Sequence, residues 1–186
     1  MEEYALVVEY LPAGKASDSR KEPLIQLLGC SFFTLLEATV KPDASIFLGK
    51  KVYVGKNDRD EVDRIKRKIN FNELSTSAKD YLPLGLKRLV TEREKEFILF
   101  LNRAGPISIR VHTLDLLPGV GKKNMELILS EREIGPFESF ADVKKRTGLS
   151  DPVAVFVNRI MGEIEGKERH NLFVKSFSPP QGRRRF

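Results

Sequence analysis

The first 70 or so residues alternate short apolar runs with turn residues, which is the pattern of closely spaced β-strands. No helical periodicity separates the runs, so they favour an antiparallel barrel or sandwich. The predicted strands span residues 4–11, 24–28, 32–40, 46–48 and 51–54. Five strands in this length suit a small OB-like barrel, and an SH3-like barrel fits nearly as well.

Apolar spacing becomes helical after Asp58. Val62, Ile65 and Ile69 recur at i, i+3 and i+7, which predicts a short amphipathic helix with a basic outer surface. Helical signals then continue almost to Gly166.

Two helix starts are predicted in the segment that follows. Thr91 and Glu94 have the spacing of a capping box for a helix ending near Arg103, before Gly105-Pro106. Ser108 is a candidate cap for the next helix, which is predicted to end near Leu117.

After residue 169, the run 172–177 alternates like a strand that could return to the barrel.

Composition narrows the function classes. The 186 residues are 41% hydrophobic, but the longest apolar runs are far shorter than the ~20 residues that cross a bilayer. The opening residues show no basic and apolar signal pattern, so a cytoplasmic protein is expected. Cys30 is the one cysteine, and His112 and His170 lie far apart, so neither a metal site nor a cofactor is predicted.

The positive charge is concentrated near one end. The net charge is +6, and residues 169–186 contain five basic and no acidic residues, including Arg183–Arg185. The remainder is close to neutral. A polyanionic partner is therefore expected to be held by local patches and backbone donors rather than by a uniformly basic surface.

The most informative segment is a predicted turn between two short helices. Pro118-Gly119-Val120-Gly121 makes a tight bend, and Lys122 begins the second helix. Glycines allow a sharp fold that exposes N–H groups at a helix start, where the helix dipole is positive. The pattern predicts a concave anion site, with Val120 buried between the helices and Lys122 and Lys123 at the rim.

Residues 117–123 closely resemble a helix–hairpin–helix. That resemblance implies that hairpin amides bind DNA or RNA phosphates without reading base sequence. The family's usual small alanine is Met125 here. Residues 135–143 look like the linker and third helix that join two such hairpins. The second hairpin, at 147–150 before a helix starting near Asp151, keeps one of two expected glycines and is expected to be either mainly structural or a weak phosphate site.

Nearly the whole chain resembles a family of uncharacterised, mainly archaeal proteins that pair a small β-barrel with a helix–hairpin–helix module. Residues 52–56, the basic segment after them and residues 110–114 carry the match. The implied fold is α+β. The implied domains are an OB-like barrel (1–71), a helical connector (72–105), a tandem helix–hairpin–helix (106–168), and a strand-like segment with a basic tail (169–186).

The predicted function is non-sequence-specific binding of RNA or DNA, without catalysis. Basic and aromatic residues of the β-rich part supply a second predicted contact surface, although the basic ones also fit a solvated face balanced by nearby carboxylates. The candidate binding residues are Gly119, Val120, Gly121, Lys122, Lys123, Lys50, Lys51, Tyr53, Lys56, Arg64, Arg67 and Lys68.

Two other function classes stay open. The first is a nucleic-acid-processing enzyme, since some DNA glycosylases carry a similar hairpin. A single cysteine, however, excludes those enzymes' four-cysteine cluster, and Leu116 and Lys123 do not fit a phosphate-binding loop of NTPases. The second is a protein–protein adaptor that uses the helical module.

Overall fold

A computed structural model describes residues 1–15, 21–109 and 111–175. The basic tail with Arg183–Arg185 lies wholly outside these residues. The described chain is α+β, as predicted. It divides into two compact units, which are described separately. One is Met1–Leu82 with the described residues from Glu163 onward, and the other is Pro83–Gly162.

The first unit is built on a curled, five-stranded antiparallel sheet. Its order is β4-β1-β2-β3-β5, so β4 and β5 are its edges. Apolar side chains such as Val7, Ile25 and Leu27 form its core. The antiparallel sheet is thus confirmed. The strands are β1 (Tyr4–Leu11), β2 (Leu24–Gly29), β3 (Leu35–Val40), β4 (Lys51–Tyr53) and β5 (Val62–Lys68).

One of the five predicted strands, at 46–48, is absent, and the sheet gains its fifth strand from β5 instead. Residues 46–48 form no strand, because they lie in a turn in which the N–H of Lys50 donates to Phe47 O at 3.1 Å and Gly49 adopts φ +80°. Phe47 and Leu48 are exposed at this turn. The predicted strand at 32–40 also begins later, at Leu35.

The predicted amphipathic helix at 62–69 is wrong, since this segment is β5. Its pairing with β3 shifts register twice, so that Arg67 and Ile65 face neighbouring residues of β3. Such β-bulges insert an extra residue into one strand. Val62 and Ile65 are therefore three apart, as on a helix, although both pack in the sheet's core.

The second unit is mainly helical, and the prediction of a helical part is confirmed. It also contains a small hairpin, β6 (Pro106–Ser108) with β7 (Val111–His112), and a 3₁₀ helix at Thr113–Leu116. A further 3₁₀ turn, Phe71–Glu73, belongs to the first unit. The α-helices of the chain are α1 (Thr76–Glu92), α2 (Glu94–Arg103), α3 (Lys122–Ile134), α4 (Phe140–Thr147) and α5 (Pro152–Ile164).

Two predicted helix caps are wrong. Arg93, not Thr91, is the residue before α2, and the Thr91 hydroxyl donates to Lys87 O inside α1. Ser108 lies in β6, and His112 caps the 3₁₀ helix instead, with Nδ1 accepting from the N–H of Leu114 at 3.1 Å.

The segment after α5 returns to the sheet unit without forming a strand in its described residues. The buried Glu163 carboxylate accepts the N–H groups of Leu172, Phe173 and Val174, which fixes the segment in an irregular path. The N–H of Lys175 then donates to Phe32 O at 3.2 Å. The strand predicted at 172–177 is therefore not formed over 172–175, and its last two residues lie outside the described chain.

Candidate functional site

The turn before α3 is open on its outer side. Gly119 has φ +83°, a left-handed conformation that favours glycine. Gly121 has φ −75° and ψ 173°, which any residue adopts, and it is the N-cap of α3. Apart from its chain neighbours, no atom of the described residues would lie within 4 Å of a Cβ on either glycine. Gly119 is therefore required by the backbone, whereas Gly121 leaves space over the helix start.

Several amide donors at this helix start have no acceptor within the described part of the chain. The N–H of Val120 donates to Leu117 O at 3.1 Å, and the N–H of Met125 donates to Gly121 O at 2.9 Å. Between them, the N–H groups from Gly121 to Asn124 bond to nothing in residues 1–15, 21–109 or 111–175. These donors coincide with the positive end of the dipole of the 13-residue α3.

Buried contacts hold the turn in place. Val120 is 5% exposed, and Leu117 and Ile128 are also buried, so the predicted burial of Val120 is confirmed. Arg159 of α5, itself 2% exposed, donates from Nη1 to Leu116 O at 2.8 Å. The turn is thus tied to α5 immediately before the bend.

Two lysines stand at the rim of this amide cluster. Lys122 and Lys123 begin α3 and are exposed. Neither forms an ion pair with a described carboxylate. Their charge is therefore available to an anion at the helix start.

A second turn, before α5, has a similar shape but different chemistry. Gly148 has φ +70° and Leu149 is buried, as Gly119 and Val120 are. At the start of α5, however, Asp151 Oδ1 accepts the N–H of Ala154 at 2.9 Å, and Pro152 has no N–H. This helix start carries its own carboxylate, so it offers an external anion fewer donors and a repulsive charge.

The β-rich unit contains a basic groove of about 530 Å³. Three of the sequence-predicted residues, Lys56, Arg67 and Lys68, line it. Its apolar lining includes Leu36 and Ile65. The groove therefore combines cations with an apolar floor.

The other predicted residues of this unit lie elsewhere. Lys51 and Tyr53 line a depression shared with four carboxylates, those of Glu3, Asp58, Asp60 and Glu61. The Nζ of Lys50 is 2.9 Å from Glu61 Oε1, and the Nη2 of Arg64 is 3.6 Å from Glu22 Oε1. The positive charges of Lys50, Lys51 and Arg64 therefore lie beside local negative charge, and Tyr53 shares the same acidic depression.

Sequence reasoning missed several residues of the groove, three of them from separate segments of the chain. Phe32 comes from the turn between β2 and β3, Arg59 from the loop after β4, and Lys175 from the segment after α5. The Nζ of Lys175 lies 5.2 Å from the centroid of the Phe32 ring. No local pattern signals these residues, because only the fold brings the three segments together.

Arg67 is the most strongly engaged cation of the groove. It pairs with Glu73 and lies 3.2 Å from the buried carboxylate of Glu37. The hydrogen bond that Arg67 donates to the Glu73 carboxylate is the largest cause of the raised pKa of Arg67. The pKa of Glu73 is lowered, first by the Asn70 N–H that donates to it and then by Arg67. Arg67 is therefore less available to a ligand than Lys56 or Lys68.

Metal clusters and membrane-spanning helices are both missing from the described part of the chain. Its His, Cys, Asp and Glu side chains form no group of three that could hold a metal ion. None of its helices combines the length and the apolar character that crossing a bilayer requires.

The comparisons with other proteins agree with one another. The chain is 42% identical over 176 residues to the uncharacterised protein MJ0038 of Methanocaldococcus jannaschii, covering 94% of this chain and 80% of that one. The crystal structure of Af1531 from Archaeoglobus fulgidus, assigned to DUF655, superposes with a TM-score of 0.87 at 38% identity. That match covers 94% of this chain and all of the other. The model of the family described as "Protein of unknown function (DUF655)" matches residues 1–175, and the chain therefore belongs to the DUF655 family.

Proposed function

We propose that this protein binds RNA or DNA without sequence specificity, holding a backbone phosphate at the start of α3. The observation that carries the proposal is the set of open amide donors from Gly121 to Asn124 beside two exposed lysines. Backbone phosphates are the anions that a helix start of this kind suits. In this proposal residues 117–123 act as a helix–hairpin–helix.

The physical argument favours phosphate binding without base recognition. Each charge-assisted hydrogen bond from an amide to a phosphate contributes about 1.5–3 kcal/mol. Contacts to phosphate fix the position of a strand but carry no base information. The hairpin is therefore a positioning element, and the proposal treats RNA and DNA alike. The proposed role is binding rather than catalysis, because what the hairpin offers a ligand is hydrogen-bond donors and positive charge.

The β-rich unit adds a second basic surface in this proposal, with the curled sheet acting as an OB-like barrel. Lys56 and Lys68 are its principal contacts, and Arg67 is a weaker one. The predicted contributions of Lys50, Lys51, Tyr53 and Arg64 are smaller, because carboxylates lie beside them.

Gly121→Leu tests the proposal, with Ser150→Leu as its matched control. The new side chain of Gly121→Leu extends into open space at an ordinary backbone conformation, so the fold is kept while the amides are covered. Ser150→Leu adds similar bulk at the exposed second turn. Fluorescence anisotropy with labelled duplex and single-stranded oligonucleotides measures affinity over a range of salt concentrations.

We expect wild-type affinity to fall as salt rises, with a log–log slope near −0.9 per neutralised duplex phosphate. Gly121→Leu is expected to weaken binding by about tenfold or more, since one lost charge-assisted bond suffices for that change. Ser150→Leu is expected to bind as the wild type does. Equal affinities for Gly121→Leu and wild type would refute the hairpin as the site.

A further inference from the structure

The basic groove of the β-rich unit differs chemically from the hairpin. It is lined by residues from both edges of the open sheet: Val54 directly follows β4, and Ile65 lies in β5. Leu36, from β3, completes an apolar floor with them. Phe32, which is 38% exposed, also lines the groove. The groove thus offers a surface for a flat apolar group, which a phosphate alone does not need.

The charge of the groove is strongly one-sided. Among its described lining residues, only Glu2 is acidic; it is 4% exposed and accepts N–H groups from Ser31, Phe32 and Thr34. That carboxylate is engaged by the backbone. Six cations face it from the same lining, namely Lys56, Arg59, Lys66, Arg67, Lys68 and Lys175.

Four of these cations have no carboxylate partner in the described chain. Lys66 pairs with Glu22, and Arg67 pairs with Glu37 and Glu73. Arg59 donates to the backbone oxygen of Gly55, and no ion pair of a described residue involves Lys56, Arg59, Lys68 or Lys175. The groove therefore has uncompensated positive charge around an apolar floor and an accessible ring.

We propose that this groove binds an unpaired nucleotide of a nucleic-acid strand, with the base against Phe32 and the apolar floor and the phosphates on Lys56, Lys68 and Lys175. A basic groove with an aromatic platform is how proteins bind single strands, each stacked base contributing about 1–3 kcal/mol. The volume of about 530 Å³ lies in the range of ligand sites that hold molecules of nucleotide size. This inference rests on the proposed function for its substrate class and deepens the second surface of that proposal, which is separate from the hairpin.

The test compares three probes by fluorescence anisotropy or by competition. The first is a short single-stranded oligonucleotide, the second an oligonucleotide of equal length with abasic sites, and the third a mononucleotide. Phe32→Ala removes the platform, with Phe47→Ala, an exposed ring outside the groove, as the matched control. Lys56→Ser with Lys68→Ser removes two cations.

We expect Phe32→Ala to weaken binding of the oligonucleotide about tenfold, in the range of one lost base stack, and to leave the salt slope unchanged. Its affinity for the abasic probe is expected to equal that of the wild type. The double lysine variant is expected to reduce the salt slope by about 1.4, for two single-strand phosphates. Lys87→Ser with Lys95→Ser, exposed lysines of the other unit, makes the same charge change and is expected to have little effect.

The inference would be overturned if the wild type bound base-bearing and abasic probes equally tightly, or if Phe32→Ala bound the oligonucleotide as the wild type does. It would also be overturned if polyglutamate, an anion without bases, displaced the oligonucleotide as effectively as a nucleic-acid competitor. A mononucleotide that binds as tightly as the oligonucleotide would refute the assignment to a strand. Gly121→Leu separates this inference from the hairpin proposal. If Gly121→Leu leaves binding unchanged while the groove variants weaken it, the hairpin fails and the groove stands. The reverse pattern refutes the groove alone.

Discussion

A carboxylate placed at the start of α3 is expected to change stability and binding in opposite directions. Gly121 already has the extended backbone conformation that N-cap residues adopt, and a side chain there meets no protein atom within 4 Å. In Gly121→Asp, the new carboxylate would accept one of the open N–H groups of α3. Asp151 makes this contact at the start of α5, with the N–H of Ala154.

The size of the expected gain in stability follows from the helix cap and from the helix dipole. Replacing glycine by aspartate at an N-cap contributes a few tenths of a kcal/mol, and a negative charge near the positive helix end adds about 0.3–1 kcal/mol. The free energy of unfolding of Gly121→Asp is therefore expected to rise by about 0.5–1.5 kcal/mol. Affinity for an oligonucleotide is expected to fall roughly 10- to 100-fold, since one lost charge-assisted bond is about 1.5–3 kcal/mol.

Chemical denaturation followed by far-UV circular dichroism measures the free energy of unfolding, and fluorescence anisotropy measures the affinity for the oligonucleotide. Gly121→Asn is the control, because an amide oxygen caps the helix without adding a charge, so its loss of affinity should be smaller. Higher stability of Gly121→Asp together with wild-type affinity would refute the reasoning. The cap would then occupy the amides while the ligand bound elsewhere.

Two further predictions concern groups outside the hairpin. Glu2→Ala leaves three backbone N–H groups of the turn after β2 without their acceptor, and we expect the free energy of unfolding to fall by about 2–4 kcal/mol. A Cβ on Gly29 would lie 2.1 Å from Glu2 Oε1, so Gly29→Ala should lower the free energy of unfolding less in the Glu2→Ala background than in the wild type. Equal losses of stability in the two backgrounds would contradict this contact. The pKa of Glu73 is lowered from its ordinary value of 4.5, so its stabilising effect is full above that value and is lost as the pH falls through the folded-state pKa. Glu73→Gln should therefore reduce the loss of stability between neutral pH and about pH 3 in denaturation experiments, and an unchanged pH profile would argue against the pairs of Glu73 with Asn70 and Arg67.

Local chemistry explains which elements the sequence predicted well. The turn at Gly119–Gly121 and the start of α3 at Lys122 depend on residues that are neighbours in sequence, so the pattern predicted both. The buried position of Val120 followed from the same few residues. The α+β class and the antiparallel pairing were also predictable, because apolar runs and turn residues alternate over the first 70 or so positions.

Long-range pairing explains what the sequence did not predict. The apolar spacing of β5 imitates a helix because two register shifts interrupt its pairing with β3, and bulges of this kind leave no local signature. The composition of the groove was also hidden from sequence prediction, because it too depends on contacts between distant segments. Phe32, Arg59 and Lys175 meet there from distant segments, whereas Lys51 and Tyr53, near Lys56 in sequence, lie among carboxylates. Counting basic residues along the chain could not separate these two groups.

The most direct measurement is a ¹⁵N–¹H chemical-shift titration of the full chain with a short oligonucleotide. If the account is correct, the amide signals of Gly121, Lys122 and Lys123 shift strongly and saturably, and the shifts diminish as salt is added. The amide signals of Ala154 and its neighbours at the start of α5, where Asp151 already supplies a carboxylate, should move little. Unchanged signals from residues 121–124 at a saturating oligonucleotide concentration would contradict the central claim.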